Sequence, residues 1–174
     1  MKKIIIIGAP GTGKSTLATI LQDITQLSVT HLDSLYWKPV WSKIPDAAWV
    51  ALQHELIQDE EWIIDGNYLS TMDIRLQAAD TIIFLDLPRY LYLWRVIKRQ
   101  FFSWRTPRPD IAKGCRQKIT WKYLYELWNF PKNDRKLLLE KLLKVSDKKR
   151  CIQLTSKKEV NHFIEVIRTG YEKK

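Results

Sequence analysis

The stretch from Gly8 to Ser15 constrains the fold of this chain more than any other. It reads Gly-Ala-Pro-Gly-Thr-Gly-Lys-Ser. Gly8 and Gly13 lie five positions apart, and Lys14 and Ser15 follow Gly13 directly. This is the spacing of a phosphate-binding P-loop, in which glycine lets backbone N–H groups approach a phosphate closely. The Lys14 ammonium can then reach the β- and γ-phosphates, and the Ser15 hydroxyl can hold Mg²⁺. We therefore expect this stretch to bind ATP through its phosphates.

The flanking sequence supports the P-loop interpretation. The apolar run Ile4–Ile7 precedes the loop and is typical of a strand buried on both faces, while Leu17, Ile20, Leu21 and Ile24 follow at helical spacing. A glycine loop between a strand and a helix N-terminus favours an anion, because the helix dipole adds to the backbone donors. The alternative is an ordinary strand-to-helix turn that happens to contain Gly-Lys-Ser. The predicted nucleotide-binding residues are Gly8, Ala9, Pro10, Gly11, Thr12, Gly13, Lys14, Ser15 and Thr16.

The length and composition are those of a single folded domain. A chain of 174 residues can bury a substantial core, so we expect a single domain over residues 1–174. No apolar run approaches the roughly 20 residues needed to span a bilayer, and the N-terminus lacks a signal peptide's pattern. The two cysteines, Cys115 and Cys151, are too few for a disulfide framework. We therefore expect a cytoplasmic protein without a membrane partner, and the sequence leaves its oligomeric state open.

The positive charge is concentrated in the second half of the chain. Residues 1–88 carry 6 Lys/Arg against 11 Asp/Glu, whereas residues 89–150 carry 18 against 5. Two interpretations stay open for the basic segment: a lid that clamps phosphates, or a face that binds a polyanion such as nucleic acid.

The order of predicted elements indicates an α/β fold. Strands that alternate with helices favour a mostly parallel sheet covered by helices on both faces. The predicted strands are Ile4–Ile7, Leu27–Leu32, Glu61–Ile64, Thr81–Leu85 and Cys151–Leu154. After the helix that follows the P-loop, helices are predicted from about Asp46, over Tyr90–Phe102, Arg116–Trp128 and Pro131–Val145, and over Glu159–Ile167. Residues 36–41 are predicted to form an aromatic loop.

Three aspartates follow predicted strands and are candidates for chemistry. Ligands of open parallel sheets bind beyond the carboxyl ends of the strands, where Asp33, Asp65 and Asp86 are expected. Asp33 could act as base toward an acceptor hydroxyl, although it could equally be a turn residue. Asp65 could orient Mg²⁺ together with Ser15, and Asp86 is its rival for that role. Each of these two could instead be a cap or a turn residue.

A group of arginines is predicted to contact the transferring phosphate. Arg95 and Arg99 lie one helical turn apart, and Arg105 and Arg108 follow in a proline-containing stretch. Mobile arginines can stabilise the charge of a transferring phosphoryl group on closure, so residues of about 99–116 are predicted to form a lid. The candidate catalytic residues are therefore Lys14, Asp33, Arg99, Arg105 and Arg108. Trp37 and Trp41 are core residues or stacking platforms for an acceptor, whereas the histidines are expected to be structural.

Taken together, these motifs resemble those of the small P-loop kinases related to adenylate kinase. The resemblance covers nearly the whole chain: Gly8–Ser15, Asp33, Ile64–Gly66, Leu85–Pro88 and the arginine-bearing region. More narrowly, His31–Trp37, Asp65–Tyr68 and Arg108–Pro109 followed by Gly114–Cys115 are similar to bacterial DNA topology modulation proteins. The resemblance implies a five-stranded parallel sheet, an acceptor-side insertion at about 33–60, an arginine-bearing helical lid, and ATP with Mg²⁺.

Two departures from adenylate kinases concern the acceptor. Those enzymes have arginine in the runs Asp-x-Leu-Arg and Asp-Gly-x-Pro-Arg, where this chain has Tyr36 and Leu69. Loss of both arginines would leave the phosphate of AMP without charge-assisted hydrogen bonds, so a neutral, hydroxyl-bearing and nucleoside-like acceptor fits better. The alternative function is that of a nucleic-acid-associated, ATP-binding protein that affects DNA topology.

Overall fold

The computed structural model describes residues 1–38, 42–102 and 119–172. Its strands are β1 (Lys3–Gly8), β2 (Val29–His31), β3 (Trp37–Lys38), β4 (Ser42–Lys43), β5 (Trp62–Asp65), β6 (Thr81–Leu85) and β7 (Arg150–Leu154). Its helices are α1 (Lys14–Thr25), α2 (Leu32–Tyr36), α3 (Asp46–Leu56), α4 (Met72–Ala78), α5 (Arg89–Phe102), α6 (Trp121–Asn129), α7 (Asp134–Leu143) and α8 (Lys157–Glu172).

Five strands form one parallel sheet in the order β2-β5-β1-β6-β7. This confirms the predicted five-stranded α/β fold. Strand β1 is central and pairs with β5 on one side and β6 on the other. The P-loop follows β1 directly, so it lies at the middle of the carboxyl edge of the sheet. The carboxyl ends of parallel strands lie at the same edge of a sheet, so the carboxyl ends of β2, β5 and β6 lie at the same edge as the P-loop.

The isoleucine run of β1 separates two apolar cores. Successive side chains of a strand point to opposite faces, and all four isoleucines are buried. Ile5 and Ile7 pack into a core with residues of α3 to α7, whereas Ile4 and Ile6 pack with residues of α1 and α8. A strand that is apolar at every position is therefore explained by helices on both faces of the sheet.

Several local predictions differ from the structure. The helix α4 was not predicted, and residues 37–38 of the expected aromatic loop pair with residues 42–43 as two short antiparallel strands. Strand β2 ends at His31, so Asp33 lies in the short helix α2 rather than directly after a strand. Pro45, not Asp46, is the N-cap of α3. In the described ranges, no helix is both long enough and apolar enough to cross a membrane.

Candidate active site

The glycines of the P-loop allow it to pack closely against its neighbours. Gly8 has φ +147°, and a Cβ atom there would lie 2.5 Å from the carbonyl oxygen of Leu85 in β6. Gly11 has φ +84°, and its Cβ would lie 2.7 Å from the carbonyl oxygen of Tyr92 in α5. Neither approach is tolerable for a larger residue, because the clashing atoms belong to the backbone. The loop is therefore packed closely against the end of β6 and against α5.

The Lys14 ammonium lies against the backbone of the loop. Its Nζ donates to the carbonyl oxygen of Gly8 at 2.9 Å and to that of Ala9 at 3.1 Å. Thr12 closes the turn, because its Oγ1 donates to the same Ala9 carbonyl at 2.8 Å. Lys14 and Ser15 open helix α1, so both lie at the positive end of its dipole.

Asn67 joins the end of β5 to the P-loop through two hydrogen bonds. The Gly8 N–H donates to Asn67 Oδ1 at 3.0 Å, and Asn67 Nδ2 donates to the Gly8 carbonyl oxygen at 2.9 Å. The amide side chain thus satisfies both backbone groups of the first glycine of the motif. Asn67 belongs to the Asp65–Tyr68 motif, but no role was predicted for it from the sequence.

Helix α5 places Arg95 over the P-loop. Arg95 Nη1 donates to the Thr12 carbonyl oxygen at 2.9 Å. Arg99 lies one turn further along the same helix and is half-buried. Arg105 and Arg108 lie outside the described residues, and so does most of the predicted lid. The lid and its arginines therefore remain predictions.

Asp65 is buried at the end of β5, with 4% of its surface exposed. Its Oδ1 lies 2.9 Å from Nδ1 of His31, its register partner at the end of β2. On the other side, Asp65 is in register with Ile6 of β1, two residues before the P-loop. Since Oδ1 is engaged by His31, Oδ2 is the oxygen that remains for a cation or its water ligands.

Asp86, the rival of Asp65, makes a different set of contacts. The Arg135 side chain binds it bidentately, with Nε to Oδ1 and Nη2 to Oδ2 both at 2.7 Å. Gln153 Nε2 also donates to Oδ2 at 2.7 Å. The hydrogen bond with Asp86 raises the pKa of Arg135 above its ordinary value. These contacts tie the end of β6 to α7 and β7, and they engage both oxygens of the carboxylate.

Asp33 is exposed at the start of α2 and accepts a hydrogen bond from Tyr68. The Tyr68 hydroxyl donates to Asp33 Oδ1 at 2.7 Å. Burial, together with the negative charge of Asp33, raises the pKa of the Tyr68 hydroxyl, which therefore keeps its proton at neutral pH. Tyr68 has φ +36°, an uncommon conformation for a bulky residue. Tyr68 directly follows Asn67 in the chain. Asn67 contacts the P-loop, and Tyr68 contacts Asp33.

An aromatic cluster surrounds Tyr68 on the acceptor side. The ring centroid of Tyr36 lies 4.6 Å from that of Tyr68, and the Trp49 centroid lies within 5.0 Å of both tyrosines. The Trp37 ring meets Tyr36 edge to face at 5.0 Å. Tyr36, which stands where the corresponding run of adenylate kinases has arginine, thus takes part in aromatic packing. Trp41 lies outside the described residues.

The donor set at the P-loop suits magnesium rather than a metal held by protein ligands alone. In the described part of the chain, no three His, Cys, Asp or Glu side chains come together as a metal site. Mg²⁺ takes oxygen ligands, keeps several waters and is completed by substrate phosphates. The Ser15 hydroxyl and the Asp65 carboxylate are donors of this kind.

Sequence reasoning missed three contacts around the candidate site. The contact between His31 and Asp65 was not predicted, although His31 was expected to be structural; the signal was its position at the end of a neighbouring strand. Arg135 was not singled out, because its partner Asp86 lies 49 positions away in the chain. Arg75, fully buried in α4, was not recognised either, since a charged residue in an unpredicted helix gives no pattern.

The sheet order and the P-loop after the central strand define a small-kinase P-loop fold. Solved structures with this fold include shikimate kinase from Acinetobacter baumannii in complex with shikimate, at TM-score 0.62 and 15% identity over 96% of this chain and 90% of that chain. Gluconokinase from Sinorhizobium meliloti 1021 matches at TM-score 0.54 and 15% identity, over 99% and 92%. Deoxyadenosine kinase from M. mycoides matches at TM-score 0.53 and 16% identity, over 98% of both chains.

A relative defines the family more narrowly. Uncharacterized protein YqaC from Bacillus subtilis (strain 168) is 34% identical in an alignment of 135 residues that covers 72% of this chain and 73% of YqaC. The chain therefore belongs to the YqaC family. No family model matches the sequence. The resemblance to DNA topology modulation proteins remains a prediction.

Proposed function

We propose that this protein is an ATP-dependent phosphotransferase, a single domain over residues 1–174, that moves the γ-phosphoryl group of ATP to a hydroxyl of a small neutral molecule. Nucleoside-like compounds are the first acceptor class to test. The kinase-like P-loop fold supports the reaction class, since its structural neighbours include kinases of a sugar acid, of shikimate and of a deoxynucleoside.

One observation carries the proposal: a short series of contacts joins the P-loop to Asp33. Gly8 binds the Asn67 side chain, and the next residue, Tyr68, binds Asp33. A base for the acceptor hydroxyl must lie beside the phosphates, because transfer requires the two reacting oxygens in line with phosphorus. The hydrogen bonds of Asn67 and Tyr68 support Asp33 as this base, whereas both oxygens of the rival Asp86 are engaged by Arg135 and Gln153.

The P-loop residues would bind and orient the nucleotide. In the proposed complex, Gly8 to Thr16 surround the phosphates, and Lys14 exchanges its contacts with the Gly8 and Ala9 carbonyls for the β- and γ-phosphates. Ser15 and Asp65 would hold Mg²⁺, which neutralises charge on the phosphate oxygens. Arg95, already on the P-loop, extends the positive surface on the α5 side.

The transfer step needs a proton acceptor beside the hydroxyl of the acceptor molecule. The acceptor hydroxyl donates its proton to Asp33, its oxygen forms a bond to the γ-phosphorus, and the bond between that phosphorus and the bridging oxygen breaks to release ADP. Tyr68 occupies Asp33 Oδ1, so Oδ2 is the oxygen that would take the proton. The lid arginines predicted at about 99–116 would stabilise the charge on the transferring group.

The aromatic cluster supports a neutral acceptor. Tyr36 stands at a position where adenylate kinases have arginine, and it packs against Tyr68 and Trp49. Arg75, a cation of this region, is fully buried and points its charge at backbone and amide oxygens instead. An acceptor with rings and hydroxyls suits such a surface, since apolar faces stack on aromatic side chains.

The proposal is tested by measuring ATP consumption against a panel of nucleosides, sugars and other hydroxyl-bearing metabolites. At least one compound is expected to stimulate release of ADP by wild-type protein with Mg²⁺, and Lys14→Ala is expected to abolish that stimulation while remaining folded. A wild-type rate that no compound stimulates, or a Lys14→Ala variant with near-normal activity, would refute the assignment.

A second candidate function is favoured by one specific surface. Helices α5 and α6 expose large aromatic side chains, among them Trp94, Trp128 and Trp121, the last with 88% of its surface exposed. Lys98 lies over the Trp94 ring and Arg89 over the Trp128 ring, each at 4.8 Å from the centroid. Exposed aromatics with nearby cations can stack on bases and contact phosphates of single-stranded nucleic acid. DNA affinity that falls steeply with salt would favour this alternative.

A further inference from the structure

Arg75 is a fully buried cation whose acceptors are neutral. None of its surface is exposed, and within the described residues its guanidinium donates only to amide, hydroxyl and backbone oxygens. Burial lowers the pKa of Arg75 to about 10, so the group still carries its charge at neutral pH. A buried charge without a carboxylate partner opposes stability, and an apolar side chain of similar size would pack there at lower cost. Its presence therefore points to what it holds in place.

The guanidinium holds the turn between β5 and α4. Arg75 Nη2 donates to the carbonyl oxygen of Asn67 at 2.6 Å and reaches that of Tyr68 at 3.5 Å. Arg75 Nη1 donates to Thr71 Oγ1 at 3.1 Å and also to Gln53 Oε1 of α3. The planar fork thus spans two carbonyls of the turn on one side and two side chains on the other.

The two residues whose carbonyls it binds are the ones that join the two halves of the site. The Asn67 side chain binds both backbone groups of Gly8, and the Tyr68 hydroxyl binds Asp33. Tyr68 has φ +36°, in the left-handed region that is unfavourable for a residue with a side chain. Such a conformation persists only where its surroundings enforce it, and Arg75 is a surrounding group that contacts the backbone on both sides of the strained φ angle.

We propose that Arg75 is a positioning residue for phosphoryl transfer. It fixes Asn67 and Tyr68 so that the Tyr68 hydroxyl stays on Asp33 Oδ1 and directs Oδ2 toward the acceptor hydroxyl. This inference rests on the proposed function for its effect on rate. Its structural part, that Arg75 keeps the Tyr68 hydroxyl hydrogen-bonded to Asp33, can be tested independently of any activity.

A double-mutant cycle on kcat tests the effect on rate. Arg75→Lys keeps the charge but loses the planar fork, and we expect it to lower kcat about tenfold or more. Tyr68→Phe removes only the hydroxyl and is expected to lower kcat by a similar factor. If Arg75 acts through Tyr68, the double variant will be close to the slower single variant, because the two changes disrupt one arrangement. A double effect equal to the product of the single effects would overturn the proposal.

A tyrosine titration tests the structural part without any acceptor. In protein labelled with ¹³C at tyrosine Cζ, Tyr68→Phe identifies the Tyr68 resonance. We expect this resonance to titrate above the ordinary tyrosine value of about 10 in the wild type, because burial and the nearby Asp33 carboxylate raise the pKa of Tyr68, and to titrate closer to that value in Arg75→Lys. A wild-type resonance that titrates near 10, or an Arg75→Lys resonance that does not move, would overturn the inference.

Two further variants separate positioning from loss of stability. Leu76→Ala removes a buried side chain from the same helix and leaves the hydrogen-bond partners of Arg75 unchanged, and it is expected to destabilise the fold while kcat changes less than about threefold. Thr71→Val removes one acceptor of Arg75 and serves if Arg75→Lys does not fold; it should shift the Tyr68 titration in the same direction. If no compound stimulates ATP turnover by wild type, the proposed function fails, and the titration still decides the role of Arg75.

Discussion

Replacement of Asn67 by alanine probes the connection between the P-loop and the end of β5. Asn67 satisfies both the N–H and the carbonyl oxygen of Gly8, the buried last residue of β1. In Asn67→Ala the Gly8 N–H loses its acceptor, whereas the Gly8 carbonyl oxygen keeps the ammonium of Lys14 at 2.9 Å. The free protein is therefore left with one unsatisfied buried group.

The structure gives a magnitude for two separate effects. An unsatisfied buried donor costs about 1–3 kcal/mol, so the free energy of unfolding of Asn67→Ala should fall by about that amount. In the proposed ATP complex Lys14 turns to the phosphates, and the Gly8 carbonyl oxygen then loses its second donor as well. Binding therefore carries a further penalty of about 1–3 kcal/mol, which corresponds to a 5- to 150-fold weaker affinity.

The assay combines denaturant unfolding with calorimetric binding of a non-hydrolysable ATP analogue and Mg²⁺. The matched control is Asn129→Ala, which removes an amide that donates to the Tyr125 carbonyl oxygen within α6. That exposed hydrogen bond should matter little, so stability should change by less than about 0.5 kcal/mol and affinity should not change. An Asn67→Ala variant that binds the analogue as tightly as wild type would refute the reasoning on Lys14 and Gly8.

Three further predictions concern other parts of the molecule. Arg135→Ala leaves the Asp86 carboxylate with Gln153 alone, and it should lower the free energy of unfolding by about 1–3 kcal/mol in denaturant titrations; an unchanged midpoint would contradict this. Burial alone would raise the pKa of Asp80, but hydrogen bonds from Thr81 and from the Lys3 and Lys2 N–H groups lower it below its ordinary value. The Asp80 carboxylate therefore contributes its stabilisation above its unfolded pKa, and this contribution is lost as pH falls through the lower folded pKa. Below about pH 4, wild type should lose stability more steeply than Asp80→Asn. At least one alanine variant among the predicted lid arginines should reduce turnover by about two orders of magnitude with stability nearly unchanged; near-wild-type rates in all three would leave the lid unsupported. These variants are Arg99→Ala, Arg105→Ala and Arg108→Ala.

Local patterns predicted the elements that form the centre of the sheet. The apolar run before Gly8 and the strand Thr81–Leu85 were predicted because continuous apolar residues between turn residues are typical of strands buried on both faces. The P-loop was predicted from its spacing and from the strand and helix patterns on either side of it. Both signals lie within a few consecutive residues, so no knowledge of the fold was needed to find them.

The remaining parts of the site depend on which strands become neighbours. His31 contacts Asp65 only because β2 pairs with β5, although 34 positions separate the two residues. Helix α4 has seven residues and buries Arg75, so it shows neither the length nor the apolar stripe on which helix prediction relies. The contacts of Asn67 and Tyr68 likewise depend on a turn whose geometry is enforced by that buried arginine.

Transfer of the labelled γ-phosphoryl group tests the central claim most directly. With an acceptor found by the screen, wild-type protein should convert [γ-³²P]ATP into a labelled acceptor, and Lys14→Ala should form none. Asp33→Asn should bind the ATP analogue within about threefold of wild type while transfer slows by about 10²–10⁴-fold, the range typical of a lost general base. Transfer by Asp33→Asn at the wild-type rate, or loss of its nucleotide affinity with transfer retained, would contradict the account.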